Sequence, residues 1–376
     1  MPSPAGRPGP GRPLAPGQAV PSERERLLSI LAGAGADRPA CVIPGGMMNM
    51  TTTEVARAAG VGLPQAHTDP AEMVRLARAA HDLAGIENYG VPFCMTVEAE
   101  GMGARVDLGG ATCEPHVVSG AIPSAADLGE LRPLDPTRGR AATTLEAIRA
   151  LHGLDDGVPV VGNLVGAVSV AGTVLDMEVL LREMVRRREQ AHALCELVAQ
   201  GLVAYGRAMV EAGADVVCIA EPSGTGEILG PRLFGAYTVR YLNEVIAGIG
   251  APATIVHICG RLDRVLDEVA RIDCDAFSFD ATISVRAMRE RLPGRVLMGN
   301  VSTFALEEAT PEKVRTMTGV TLRSGVDVVA PACGISMSTP TENLRAMTDA
   351  VRRWAPGRQG ALDRASARPT EIEGER

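Results

Sequence analysis

Short apolar runs alternate with helical stretches along most of this chain. Eight such runs occur, at 40–44, 91–97, 158–165, 214–220, 252–258, 275–279, 295–301 and 326–332. Strands that are apolar at nearly every position are buried on both faces, which is typical of parallel sheets whose strands are joined by helices. Eight strand–helix units predict an α/β fold of the (β/α)8 TIM barrel type.

The helical stretches carry recognisable start signals. Ser22 and Glu25 form a capping-box pattern ahead of the first helix. Asp69-Pro70 and Thr310-Pro311 each place a cap and a first-turn proline before a helix. Residues 174–212 are helical in composition throughout, which predicts two helices or one long helix along the side of the barrel.

Residues 98–124 break the alternation and are rich in glycine. They predict a small insertion after the second strand, in the form of a hairpin near the barrel mouth. The ends of the chain are polar and rich in Pro, Gly and Arg or in charged residues. We therefore expect a disordered tail at 1–21, a single barrel domain at 22–355 and a flexible tail at 356–376.

The amino-acid composition narrows the range of functions that the chain could have. The chain of 376 residues is 46% hydrophobic and 22% charged, as in ordinary globular enzymes, and its net charge of −8 argues against a nucleic-acid partner. The eight cysteines are too few for a disulfide framework, so reduced thiols and a cytoplasmic location are expected. No uninterrupted apolar run approaches the ~18 residues of a membrane span.

The sequence predicts a metal centre from two strand ends. His257 and Cys259 lie in HICG directly after the fifth apolar run, and Cys333 lies in PACGIS after the eighth. Residues i and i+2 of a strand point to the same side, so His257 and Cys259 can bind one ion together, and a second strand end can supply Cys333. One imidazole and two thiolates suit Zn²⁺, and three protein ligands leave a fourth position open for chemistry.

Polar residues follow most of the other predicted strands, and catalytic groups of barrel enzymes lie at these ends. Asp280 and Glu221 are candidates for a fourth metal ligand or for orienting His257, although substrate binding or helix capping explains them equally well. The same roles are open to Glu98. The full set of candidates for binding substrate or cofactor, or for supporting the metal ligands, is Glu98, Asn163, Glu221, Asp280 and Asn300.

Four motifs together resemble a known family. They are PGGMMNM (44–50), VPFCMTVEAEGMGA (91–104), HICG (257–260) and PACGIS (331–336). They are similar to the uroporphyrinogen decarboxylase superfamily, within it the corrinoid-dependent methyltransferases typified by methylcobamide:coenzyme M methyltransferases, over residues 22–355. The arginine-bearing MRQAGRY motif of true uroporphyrinogen decarboxylases is absent from the sequence, which argues against porphyrinogen decarboxylation.

The resemblance implies a zinc held by His257, Cys259 and Cys333, which are also the catalytic residues. It implies a small corrinoid-binding protein that docks over the barrel mouth and presents methylcobalamin. A thiol such as coenzyme M would bind the zinc, and the zinc-bound thiolate would attack the cobalt-bound methyl group. The five strand-end candidates above would contact substrate or corrinoid, or support the metal ligands.

Several alternatives remain open at this point. The chain is poor in lysine and rich in Ala, Arg and Gly, which suggests a GC-rich bacterial genome and an acceptor other than coenzyme M. Homocysteine, a folate, or a methoxylated or methylamine substrate would give a related transfer. A tetrapyrrole decarboxylase and a non-catalytic metal- or corrinoid-binding protein are the readings from other classes. The direction of transfer and the oligomeric state also stay open.

Overall fold

The computed structural model describes residues 19–355 of the chain. The tails predicted at 1–21 and 356–376 lie outside the described residues, apart from 19–21.

Eight parallel strands form the central sheet, as the apolar runs predicted. The strands of the described part are β1 (Ala40–Cys41), β2 (Tyr89–Val91), β3 (Arg105–Asp107), β4 (His116–Ser119), β5 (Val160–Val165), β6 (Val216–Ala220), β7 (Thr254–Ile258), β8 (Ala276–Phe279), β9 (Val296–Val301) and β10 (Val328–Pro331). The central sheet runs in the order β1-β10-β9-β8-β7-β6-β5-β2. Apart from the hairpin strands β3 and β4, strands that follow one another in the chain from β2 to β10 are neighbours in this sheet, as in a (β/α)8 barrel. The predicted fold class is confirmed.

The two end strands of this sheet, β1 and β2, are joined by a side chain. The Asn88 amide accepts from Ile43 N–H and donates to Ile43 C=O, both at 3.0 Å. Next to it, Glu87 N–H donates to Cys41 C=O at 2.9 Å. A Cβ at Gly90 would lie 1.9 Å from Pro44 O, so only glycine permits this approach. These contacts close the barrel where the strands are shortest.

Alternate strand residues face the two sides of the sheet and build two cores. The inner core contains residues such as Val216, Cys218, Ile255 and Ala276, together with Leu27 of the first helix. Their neighbours on the same strands pack outward against the surrounding helices. Since Ile255 faces inward, residue 257 on the same strand also faces the barrel interior.

Helices pack around the sheet. They are α1 (Glu23–Leu31), α2 (Thr53–Ala59), α3 (Leu63–Ala66), α4 (Pro70–Ala84), α5 (Val97–Gly101), α6 (Gly139–His152), α7 (Ala167–Leu175), α8 (Met177–Arg186), α9 (Arg188–Glu211), α10 (Gly226–Leu233), α11 (Arg240–Ile249), α12 (Leu266–Val269), α13 (Val285–Arg291), α14 (Thr303–Glu308), α15 (Pro311–Arg323) and α16 (Thr341–Arg352), with a 3₁₀ turn at Ala125–Glu130 and a π-helical turn at Phe234–Val239. The caps predicted at Ser22, Asp69 and Thr310 are all formed.

The helical region predicted at 174–212 contains two helices, α8 and α9, which was one of the two predicted alternatives. Its first two residues belong to the preceding helix, α7. Asp176 ends α7 with a φ of 118° and caps α8, because its carboxylate accepts from the N–H groups of Glu178 and Val179. The chain turns there without glycine or proline, so composition alone gave no signal of the break.

The second strand is also shifted from its predicted position. The run at 91–97 predicted a strand, but β2 ends at Val91 and the helix α5 begins at Val97. Pro92 has no N–H to donate to a ladder, which ends the strand early. The predicted hairpin after this strand is present, since β3 and β4 pair antiparallel.

Helix α9 is long and apolar enough to cross a membrane by length and composition, and it alone passes this test among residues 19–355. Several of its apolar side chains, among them Leu194, Val198 and Leu202, are fully buried. They pack in the core between the sheet and the outer helices. This packing accounts for the apolar composition of the helix.

Candidate metal centre

His257 lies near the end of β7 and is completely buried. Its Nδ1 is 2.9 Å from the hydroxyl of Ser278, the residue opposite it on β8. The Ser278 hydroxyl donates its one hydrogen to the sulfur of Met48 at 3.7 Å. The hydroxyl therefore accepts from Nδ1–H, and the lone pair of the imidazole is on Nε2.

The Nε2 atom is buried and has no hydrogen-bond partner among the described residues. One ligand atom of each of His257, Cys259 and Cys333 lies within 4.8 Å of the other two. Both cysteines are partly exposed, whereas the histidine is not. A bare, buried imidazole nitrogen beside two thiols fits a Zn²⁺ ion, which supplies the interaction that Nε2 otherwise lacks.

The two thiols lie close enough to alter each other's ionisation. The neighbouring Cys259 thiol, together with the nearby His257 imidazole, lowers the pKa of Cys333. The neighbouring Cys333, with burial and the negative charge of Asp280, raises the pKa of Cys259. The pair therefore holds one negative charge readily and a second only with a cation beside it, as a metal ion provides.

Asp280 follows β8 and lies beside the thiol pair. Its Oδ1 accepts from Thr282 N–H at 2.9 Å, and its Oδ2 faces Gly260 N–H at 3.4 Å. Asn300 holds this loop, because its side-chain amide donates to the carbonyls of Asp280 at 3.1 Å and Ile283 at 2.8 Å. The structure thus brings Asp280 to the thiols and places Asn300 behind it.

Glu221 follows β6 and is fully buried. Its carboxylate accepts from the backbone N–H groups of Val168, Ser169 and Gly224 and from the Ser169 hydroxyl. Burial raises its pKa. These contacts fasten the start of α7 to the loop after β6. The Glu221 carboxylate therefore does not bind the His257 ring, whose Nδ1 is hydrogen-bonded to the Ser278 hydroxyl.

The side chains of Asn163 and Glu98 make hydrogen bonds that connect the ends of neighbouring strands and helices. Asn163 on β5 donates to the carbonyls of Pro44 at 2.6 Å and Val91 at 3.2 Å, which links the ends of β1, β2 and β5. Glu98 accepts from Val165 N–H through Oε1 at 2.9 Å, while its Oε2 is buried without a partner. Burial raises the pKa of Glu98 to about 7.

Two residues at the site were missed by sequence reasoning. Ser278 is a polar residue inside an apolar run, which was the only signal in the sequence, and the register of β7 and β8 sets it opposite His257. Glu114 lies in the hairpin loop, where its Oε1 accepts from the Asn49 amide at 2.9 Å. Cys333 is among the groups that raise the pKa of Glu114, after burial. The signal for Glu114 was its place in the insertion at the mouth.

Comparisons with known proteins extend over the whole barrel. The methylcobamide:CoM methyltransferase MtaA of Methanosarcina barkeri is 31% identical over 333 residues, covering 87% of this chain and 96% of that protein. The methylated-thiol–coenzyme M methyltransferase of Methanosarcina mazei is 30% identical over 332 residues, covering 88% of each. A solved methyltransferase structure from Methanosarcina mazei has a TM-score of 0.83 at 30% identity, covering 88% of this chain and 98% of that one.

The family profile described as uroporphyrinogen decarboxylase (URO-D) matches residues 22–354. This range agrees with the span over which the motifs suggested the resemblance. The chain belongs to the uroporphyrinogen decarboxylase family.

Proposed function

We propose that this protein is a methyltransferase that moves a methyl group from a corrinoid to a thiol, at a Zn²⁺ ion held by His257, Cys259 and Cys333. The observation that carries the proposal is the buried, unpartnered Nε2 of His257 beside two thiols. The relatives named above, whose names state methyl transfer to coenzyme M, support the same reaction class.

The chemical problem is the nucleophile. A free alkyl thiol has a pKa of ~8.5 and is mostly protonated at neutral pH. Zn²⁺ at this site would lower the pKa of a bound substrate thiol while leaving the sulfur nucleophilic. In the transfer, a new sulfur–carbon bond forms, the cobalt–carbon bond breaks, and its electron pair stays on cobalt, so methylcobalamin becomes cob(I)alamin.

The protein residues orient and shield the reacting groups. Ser278 fixes the ring of His257 through Nδ1, so Nε2 points at the thiols and needs no rotation when the metal binds. His257 is buried from solvent, whereas Cys259 and Cys333 are partly exposed at the mouth. A substrate therefore reaches the site from the mouth, and the sulfur and the methyl carbon can be held close together.

Exposed apolar side chains surround this mouth. Met95, Ile228 and Phe304 lie in the first segments after β2, β6 and β9, and their exposed fractions are 39%, 47% and 80%. Val118 of the hairpin is 48% exposed. Apolar side chains gathered at a site entrance are typical of a macromolecular interface. We propose that the protein carrying the corrinoid docks on this face.

The experiment is a methyl-transfer assay without oxygen. Purified protein should contain about one zinc per chain, and with methylcobalamin and a thiol it should produce the absorption of cob(I)alamin. Cys259→Ala and Cys333→Ala should each lose metal and activity together. Full zinc content and full activity in both variants would contradict the proposal.

Cys113→Ser is the matched control. Cys113 is an exposed thiol of the hairpin loop, so this variant removes a reactive cysteine without touching the three ligands. It should keep the zinc content and the rate of the unchanged protein. Loss of zinc in this control would show that thiol chemistry elsewhere, and not the three-residue centre, governs metal content.

A further inference from the structure

Two carboxylates lie near the thiol pair. Asp280 lies beside Cys259, since its Oδ2 is 3.4 Å from the N–H nitrogen of Gly260, the next residue in the chain. Glu114 lies near Cys333, because Asn49 contacts both Glu114 and Ile335, two residues after Cys333. A metal dication with two cysteine thiolates is neutral, so a bound substrate thiolate already makes the centre negative. The two nearby carboxylates add negative charge to this centre, so a cationic group on the substrate would bind in a favourable field.

Glu114 is fixed close to Cys333 by a short chain of contacts. Its Oε1 accepts from the side-chain amide of Asn49, a residue that is 2% exposed. The backbone carbonyl of Asn49 in turn accepts from Ile335 N–H, two residues after Cys333. A Cβ at Gly334 would lie 3.5 Å from Asn49 N, which places the two loops in contact. The second oxygen, Oε2, has no hydrogen-bond partner in the described range.

The nearby histidine does not neutralise this carboxylate. His67 is 4% exposed and its Nδ1 has no hydrogen-bond partner among the described residues. Burial, followed by the positive charge of Arg140, lowers the pKa of His67 to about 4, so the ring is neutral at pH 7. Glu114 is thus a half-buried carboxylate with a free oxygen and without a counter-charge from His67. Burial raises its pKa, and a substrate cation would relieve that cost.

We propose that the acceptor is an aminothiol, a thiol whose other end carries an ammonium group, and that Glu114 selects it by binding that group through Oε2. This inference rests on the methyl transfer proposed above and specifies its substrate class. With the substrate sulfur bound to the metal, an ammonium group two carbons away would face Glu114. A sulfonate at the same place would meet the same carboxylate and be repelled.

The test compares three thiols of equal chain length with methylcobalamin: aminoethanethiol, mercaptoethanol and mercaptoethanesulfonate, which is coenzyme M. Because the thiols differ in intrinsic reactivity, the measured quantity is the ratio of their kcat/KM values in Glu114→Gln relative to the unchanged protein. Glutamine keeps the oxygen that accepts from Asn49 and removes the charge. We expect the preference for aminoethanethiol over mercaptoethanesulfonate to fall about tenfold, mainly through KM.

Equilibrium binding gives a second readout. Co²⁺ in place of zinc makes thiol binding visible by absorption, and Glu114→Gln should weaken the binding of aminoethanethiol and strengthen that of mercaptoethanesulfonate. Glu114→Asp, which keeps the charge, should retain the preference. Glu189→Gln, an exposed glutamate on the outer helix α9, is the matched control and should change neither readout.

The outcomes separate this inference from the proposal on which it rests. A preference for mercaptoethanesulfonate, or an unchanged ratio in Glu114→Gln, would overturn the aminothiol while leaving methyl transfer intact. If none of the three thiols produced cob(I)alamin, both the proposed methyl transfer and the proposed aminothiol acceptor would be overturned. A tenfold change confined to Glu114→Gln, with Glu114→Asp and Glu189→Gln unaffected, supports both.

Discussion

The hydrogen bond from His257 to Ser278 should set the metal affinity of the centre. Ser278→Ala removes the hydroxyl that accepts from Nδ1 at 2.9 Å and leaves that N–H buried without a partner. The ring then loses its fixed tautomer and orientation. Removing such a partner of a metal-binding histidine costs about 10- to 100-fold in affinity, equivalent to about 1.4–2.7 kcal/mol.

The assay is a competition between the protein and a chromophoric chelator for zinc. Ser29→Ala is the matched control, because the Ser29 hydroxyl also makes one hydrogen bond, to Gly35 C=O at 2.6 Å, far from the mouth. Ser29→Ala should lower the free energy of unfolding by about 1 kcal/mol and leave zinc affinity unchanged. Equal zinc affinity in Ser278→Ala and the unchanged protein would refute the assigned role of this bond.

Three further predictions concern the barrel and its mouth. Burial raises the pKa of Glu98 from 4.5 to about 7, so the folded state should lose about 3 kcal/mol of stability as the pH rises from about 4.5 to above 7. Glu98→Gln should remove this pH dependence, which denaturant titrations at pH 5 and pH 8 would measure. Asn88→Ala leaves the Ile43 N–H and C=O buried and unpaired and should destabilise the fold by about 2–5 kcal/mol by thermal or denaturant unfolding, whereas an undiminished stability would contradict the closing role of Asn88. Phe304→Ala should slow transfer from a protein-bound corrinoid by about tenfold and leave the rate with free methylcobalamin unchanged, and equal effects on both donors would argue against docking there.

The barrel could be predicted from the sequence because its strands are buried on both faces. A strand such as Val216–Ala220 is apolar throughout, and strands of this kind are typical of parallel sheets covered by helices. The ends of the elements were harder to predict. The apolar character of 91–97 continues past Pro92, where the hydrogen-bonded ladder has already ended. Asp176 breaks a helical region because its carboxylate caps the next helix, and composition does not show such a local choice.

The metal candidates could be predicted because ligand type and spacing are local properties. His257 and Cys259 share a strand end, and the strand count placed Cys333 at the same mouth, where the structure brings all three together. The residues around them depend on contacts between distant segments. Ser278 is recognised only through the register of β7 and β8, and Glu114 only through its hydrogen bond to Asn49. Neither contact leaves a pattern in the chain.

X-ray absorption at the zinc edge tests the central claim most directly, because it counts the ligands of the metal. Before thiol is added, the zinc of the purified protein should have two sulfur ligands and one imidazole, matching Cys259, Cys333 and His257. After addition of a substrate thiol it should have three sulfur ligands, with the added one absent when an alcohol of the same shape replaces the thiol. A protein without zinc, or a sulfur count that stays the same when thiol is added, would contradict an open metal centre for methyl transfer.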